Sequence, residues 1–262
     1  MKDYKNKKFN PFRFWFLTVA AIFVLLINVE SVPAQNSRIL KDGKSIYAAE
    51  KMLSARGYWI TKVDRIWDSS TYHAVTAFQK VEGRKRNGRL TIGELNAIRE
   101  SKRPEPVYRG VAHIEVDLER QVLFLVNDND VITHILPVST GNGKPYYQDG
   151  KRHIAYTPRG IFKITRQIKG IRRAPLGTLY HPNYFYQGVA IHGSGSIPFY
   201  PASHGCVRIP RFASKGLSDL VAVGLAVVIY ENADQVNMLI EGDQERQNNP
   251  GNGIYTNDYH AH

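Results

Sequence analysis

Apolar residues recur at helical spacing early in the chain and at alternating spacing later on. Ile46, Ala49, Met52 and Leu53 fall on one helical face, and Gly57 stands where that helix should end. Ala74, Ala77, Phe78 and Val81 repeat the same spacing. Thr91-Ile92-Gly93-Glu94 has the form of a capping box that opens a third helix through Leu95 and Ile98. The pattern predicts a small three-helix module over residues 45–100, followed by a linker over 101–110 that carries Pro104, Pro106 and Gly110. Beyond it the period changes to two. Ile114, Val116 and Leu118 alternate with polar neighbours, the apolar run 122–126 follows, and Asn127-Asp128-Asn129-Asp130 signals a turn before strand character resumes over 131–138. Residues 141–150 read as a polar, Gly-rich loop. Further strands are expected at 160–165, 189–192 and 225–230, with a short helix at 212–223. The predicted architecture is multi-domain: a three-helix N-terminal module, then a mainly β domain over 111–232. Residues 233–262, rich in Asn, Gln, Gly and acidic side chains, are expected to form a flexible tail.

The N-terminus changes the picture. A basic stretch precedes an apolar run over 14–29, and Val32-Pro33-Ala34 offers small residues where a signal peptidase reads. This is the layout of a secretory signal peptide over 1–34, cut after Ala34, with a short polar spacer over 35–44. The alternative is an uncleaved membrane anchor, but the run is shorter than the roughly 20 residues of a bilayer crossing. Either way the rest of the chain is exported, to a periplasm or cell wall.

The formal net charge of +12 favours a polyanionic partner. Export removes nucleic acid from the choice and leaves an anionic membrane face or cell-wall surface, the membrane only if the leader is retained. An apolar fraction of 43% is that of a packed globular protein and excludes wholesale disorder.

The chain has one cysteine, Cys206. An exported protein cannot use a single Cys for an internal disulfide, so the thiol is spare, intermolecular or reactive. Two imidazoles lie near it: His204, two residues away, and His192, which an adjacent strand can bring back to it. A nearby imidazole turns a poor thiol nucleophile into a thiolate. Gly205 permits a tight turn that aims successive N–H groups at a developing oxyanion. Spacing alone does not decide which histidine is the base. The remaining histidines show no metal-ligand spacing, and neither a metal nor another cofactor is expected.

Ser203-His204-Gly205-Cys206-Val207-Arg208, with Ile191-His192-Gly193 upstream, resembles the signature of the L,D-transpeptidase (YkuD) catalytic domain. Val138-Ser139-Thr140-Gly141, Thr157-Pro158-Arg159-Gly160 and Val223-Gly224-Leu225-Ala226-Val227 resemble further stretches of the same domain. The helical block resembles a three-helix peptidoglycan-binding module through Leu53, Gly57, Tyr58, Asp64, Ile66, Thr71, Ala74, Val75, Phe78, Gln79, Gly88, Leu90 and Leu95. It departs from that module at Arg65 and Trp67-Asp68, where glycines are usual.

The resemblance implies that Cys206 attacks the bond before the terminal D-alanine of a tetrapeptide stem. D-Alanine is released, a thioester forms, and a second stem's amine resolves it into a cross-link. His192 is then the base, oriented by the Gly193 carbonyl. The N–H groups of His204, Gly205 and Cys206 are candidates for an oxyanion hole, and Arg208 for a substrate carboxylate or the shape of the turn. Ser203 is expected to brace the turn, and His204 to order the loop or touch substrate. Tyr180, Tyr184, Phe185 and Tyr186 either wall the pocket or pack the core. The partners implied are peptidoglycan stem peptides. Rival readings are an L,D-carboxypeptidase giving the thioester to water, a secreted cysteine peptidase acting on all-L peptides, and a non-catalytic wall-binding protein.

Overall fold

Three side-chain caps open the helices. Asp42 accepts the Ser45 N–H at 2.9 Å, Asp68 the Thr71 N–H at 2.9 Å and Thr91 the Glu94 N–H at 3.1 Å. They start α1 (Gly43–Ala55), α2 (Ser69–Val81) and α3 (Ile92–Glu100) in the computed structural model, which describes residues 34–237 and Leu239. The expected signal segment lies outside the described residues except for Ala34, which belongs to a short 3₁₀ turn, Ala34–Ser37. Asp42 as cap places the first helix start ahead of residue 45. The expected spacer also contributes to the core: Leu40 is buried, and its N–H donates to Leu90 O at 2.8 Å.

One sheet runs in the order β3-β2-β1-β12-β6, from β1 (His113–Asp117), β2 (Val122–Val126), β3 (Ile132–Pro137), β6 (Gly160–Lys163) and β12 (Ala226–Tyr230). The other runs β11-β10-β9-β7, from β7 (Arg166–Gln167), β9 (Gly177–Tyr186), β10 (Val189–Ser194) and β11 (Val207–Pro210), with β8 (Ile171–Ala174) also pairing β9. β4 (Pro145–Gln148) and β5 (Lys151–Ile154) make a separate hairpin inside and just beyond the predicted loop, and α4 (Arg211–Leu220) follows β11. Ile114, Val116, Leu123 and Leu136 of the first sheet meet Ile191, Val207 and Ile209 of the second, with Ala213 and Leu217 of α4, in one buried cluster.

The helices do not close a core alone. Leu53, Tyr58, Ala74, Phe78, Leu90 and Ile98 pack on Val122, Phe124, Val126, Ile132 and Ile135, the opposite face of β2 and β3. Three short helices cannot bury enough apolar surface by themselves, and the sheet supplies the missing wall. This explains why β2 is apolar throughout rather than alternating: both of its faces are covered. Gly57, at φ +93°, turns the chain out of α1 where a Cβ would lie 3.1 Å from Ile132 O. At the same junction the fully buried Lys80 donates to Gln121 O at 3.1 Å and Val138 O at 2.8 Å, and burial pushes its amine down to about 7.

The segment expected as a linker is docked. Arg103 donates to Ile132 O at 2.8 Å and Ala55 O at 2.6 Å, and the Tyr108 N–H donates to Glu115 Oε1 at 2.7 Å. That covering explains why the polar positions of β1, His113, Glu115 and Asp117, are buried as fully as its apolar ones. At the other end, Val236 is buried against Val228 and Tyr230, so ordered packing continues past the start of the predicted tail. Residue 238 and residues 240–262 of that tail lie outside the described residues.

Candidate active site

β10 and β11 run parallel, with Ile191 opposite Val207 and His192 opposite Arg208. Ile191, Val207 and Ile209 point into the core, so alternation turns Ala190, His192 and Arg208 to the other face. Cys206, one residue before β11, lies across from Ala190, whose backbone hydrogen-bonds its sulfur. His192 and Cys206 therefore share a face on neighbouring segments, one side-chain step apart.

His192 is 6% exposed, and its Nδ1 lies 2.8 Å from Gly193 O. A carbonyl only accepts, so Nδ1 carries the proton and the neutral ring presents an unprotonated Nε2. Burial pushes the imidazole down to about 4; the Gly193 bond opposes this, and the Arg208 charge adds to it. Burial also pushes the Cys206 thiol up, against the Ala190 bond and the Arg208 charge. At neutral pH the two groups therefore rest as thiol and imidazole. Gly193 has a second constraint: a Cβ there would lie 2.6 Å from Ser214 of α4.

The turn before Cys206 is held from three sides. Ser203 Oγ donates to Cys206 O at 2.6 Å and accepts the Gly205 N–H at 3.0 Å. Thr157 Oγ1 donates to Gly205 O at 2.7 Å and accepts the Gly141 N–H at 2.8 Å. Thr140 O takes the N–H groups of Ala202 and Ser203 at 2.9 and 2.8 Å, and Thr140 is itself clamped by Gln121, through Nε2 to Oγ1 at 2.7 Å and N to Oε1 at 3.0 Å. Gly205 sits at φ +134°, where a Cβ would lie 2.8 Å from Tyr156 O. The Gly205 N–H, one of the three amides considered for an oxyanion hole, donates to Ser203 Oγ.

Arg208 is bound to Ser139 through both backbone groups, N to O at 3.0 Å and O to N at 3.1 Å, which fixes the strand that carries its charge past His192. The His204 side chain is exposed, its ring edge-on to Tyr146 of the β4–β5 hairpin at 4.8 Å; Tyr146 in turn stacks on His153 at 5.4 Å. The aromatic cluster divides. Phe185 is core; Tyr186 packs on Phe162; Tyr184, paired with Ala190, lies under the Arg166 guanidinium at 4.2 Å; and Tyr180 lies under Arg211 at 5.4 Å. Among the described residues no group of three His, Cys, Asp or Glu side chains is arranged to hold a metal.

Sequence reasoning gave no role to Thr157, Thr140, Gln121 or Tyr146. Thr140 and Thr157 both stand in quoted motifs, beside Gly141 and Pro158, which was the available signal; Gln121 and Tyr146 carried none.

The family model described as the L,D-transpeptidase catalytic domain matches residues 111–229, and that of the peptidoglycan binding domain matches residues 42–98. A solved structure, the L,D-transpeptidase from Xylanimonas cellulosilytica, is 36% identical at a TM-score of 0.70, over 75% of this chain and 98% of that one. An L,D-transpeptidase from Stackebrandtia nassauensis is 22% identical at a TM-score of 0.43, over 77% of this chain and 98% of that one. No curated protein matches the chain.

Proposed function

Because the chain belongs to the L,D-transpeptidase family, we propose that it cross-links peptidoglycan stems through a thioester on Cys206. His192 Nε2 takes the thiol proton as Sγ attacks the carbonyl that precedes the terminal D-alanine of a tetrapeptide stem. The new oxyanion meets the N–H groups of His204 and Cys206. As the C–N bond breaks, the imidazolium returns the proton to the leaving D-alanine amine and the thioester remains. An amine of a second stem then attacks the thioester and loses its proton to His192. A new amide forms, and the thiolate leaves and is reprotonated. Arg208 holds positive charge beside the pair, which favours the thiolate and any substrate carboxylate.

The observation that carries this reading is the register of β10 and β11, which sets an imidazole with a pinned Nδ1 and a free Nε2 on the same face as the sole thiol. The helical block, matched by a peptidoglycan binding family, supports the polymer as substrate and a periplasmic or cell-wall location. The leader expected over 1–34 from its basic, apolar and small-residue layout supports export.

The test is incubation of the purified protein with disaccharide tetrapeptide, followed by chromatography and mass spectrometry of the products. Cross-linked dimers with released D-alanine, both lost in Cys206→Ala, are expected. Tripeptide monomers without dimers point to the hydrolytic L,D-carboxypeptidase instead, and no product from native protein overturns both.

A further inference from the structure

One chain of buried polar contacts joins the helical block to the turn before Cys206, and it starts at Lys80. This lysine lies on α2, fully buried, with its amine between Gln121 O, just before β2, and Val138 O, just after β3. Gln121 O also accepts the Val138 N–H at 2.9 Å, so the amine closes a junction beyond the paired ends of the two strands. Gln121 is itself buried at φ +59°, a left-handed backbone that is uncommon for a residue with a Cβ and needs support from its surroundings.

From this junction the contacts run to the thiol. The Gln121 side chain holds Thr140 by its N–H and its hydroxyl, and Thr140 O holds the N–H groups of Ala202 and Ser203. Ser139, between Val138 and Thr140, donates its Oγ to Tyr200 O at 2.8 Å and pairs with Arg208 through both backbone groups. Residues 138–140 therefore bracket the segment 200–208 on both sides of Cys206, and Lys80 holds the bracket at its base. Arg86, in the α2–α3 loop, grips the same two regions from outside, donating to Glu119 O at 3.2 Å and Phe199 O at 3.5 Å.

We propose that Lys80, supported by Arg86, is a positioning residue for Cys206: through Gln121, Val138 and Thr140 it fixes the turn that carries the thiol. The helical block is then part of the scaffold of the reaction. The inference rests on the reading above in which Cys206 is the reacting atom. An apolar side chain of the same length fills the space but withdraws the donor from two buried carbonyls, and the bracket loses what specifies its place. A neutral amine keeps two N–H groups, one for each carbonyl, so the grip survives deprotonation.

The experiment compares the full chain with Lys80→Met, Gln121→Leu, the double variant and Arg86→Ala, each at a temperature where it is folded. Tetrapeptide turnover and amide hydrogen exchange are the readouts. In Lys80→Met, kcat should fall about tenfold or more with KM within about twofold, because the substrate surface is unchanged. Exchange over residues 200–206 should quicken while the β6–β12 pair stays protected. The loss of kcat in the double variant should be smaller than the product of the two single losses, since both changes act on one bracket. Arg86 is half-buried, so Arg86→Ala should fold as native and lower kcat by about threefold with KM kept. Native kcat in Lys80→Met, or losses that multiply in the double variant, overturns the proposal. If Lys80→Met does not fold, native kcat and native exchange in Arg86→Ala overturn it instead. Exchange at 200–206 that responds to Lys80→Met in a protein without turnover supports the relay and removes only the catalytic reading.

Discussion

Two segments meet at His204, and they are built in opposite ways. The turn over residues 203–206 is tied down from elsewhere: Ser203 is 1% exposed, the Thr157 hydroxyl and the Thr140 carbonyl hold the turn, and Gln121 clamps Thr140. The β4–β5 hairpin is held by its own ladder; every residue of β5 is exposed, and Tyr147 is 74% exposed. The contrast is between a turn fixed by packed supports and a hairpin that can adapt to what binds beside it. Substitutions in the turn should therefore abolish chemistry, and substitutions in the hairpin should tune affinity.

The sharpest way to break the contrast is Gly205→Ala. Its Cβ meets the Tyr156 carbonyl at a φ that L side chains avoid, so turnover should fall about 100-fold or more and stability by about 1–3 kcal/mol, read by dimer formation and urea melts. Wild-type rates in this variant would mean that the turn is not the rigid element described. Thr157→Val removes the donor to Gly205 O and leaves the Gly141 N–H without its acceptor, at a cost of about 1–3 kcal/mol. Its effect should appear in kcat more than in KM, because the substrate surface is unchanged; a pure KM effect contradicts a positioning role.

The electrostatics give the next test. With His192 lowered to about 4, the base is neutral above that pH, so kcat/KM should lose activity only as pH falls through about 4. The Arg208 cation opposes imidazole protonation and favours the thiolate. In Arg208→Ala both groups should titrate at higher pH, which moves the acid limb up by about one unit. An unmoved limb in an otherwise active variant would separate Arg208 from the pair. The smallest effect is expected from Tyr146→Ala, which removes the ring against His204: a change in KM of less than about tenfold with kcat and melting temperature preserved. A collapse of kcat there would make the hairpin part of the rigid support.

The same contrast explains what could be read from sequence. Helices with side-chain caps and strands with apolar stripes were legible, because local pattern and tertiary burial agree in them. The hairpin was read as a loop because its exposed strands carry no alternation. β9 was missed because Pro182 and the left-handed His181, at φ +48°, interrupt it. At the site, the Ser-His-Gly-Cys segment pointed to the turn. The supports did not stand out: Thr157 and Gln121 lie 48 and 19 residues from the Gly205 and Thr140 groups they hold, and only folding joins them. The engagement of the Gly205 N–H by Ser203 was equally invisible, since it depends on a hydroxyl rotamer rather than on residue type.

The central claim is that Cys206 Sγ is the acylated atom. Intact-protein mass spectrometry after incubation with a carbapenem addresses it most directly. A single covalent adduct on native protein, mapped to Cys206 and absent in Cys206→Ala, is the predicted result. An adduct that persists in Cys206→Ala, or none on reduced native protein that turns over tetrapeptide stems, would contradict it.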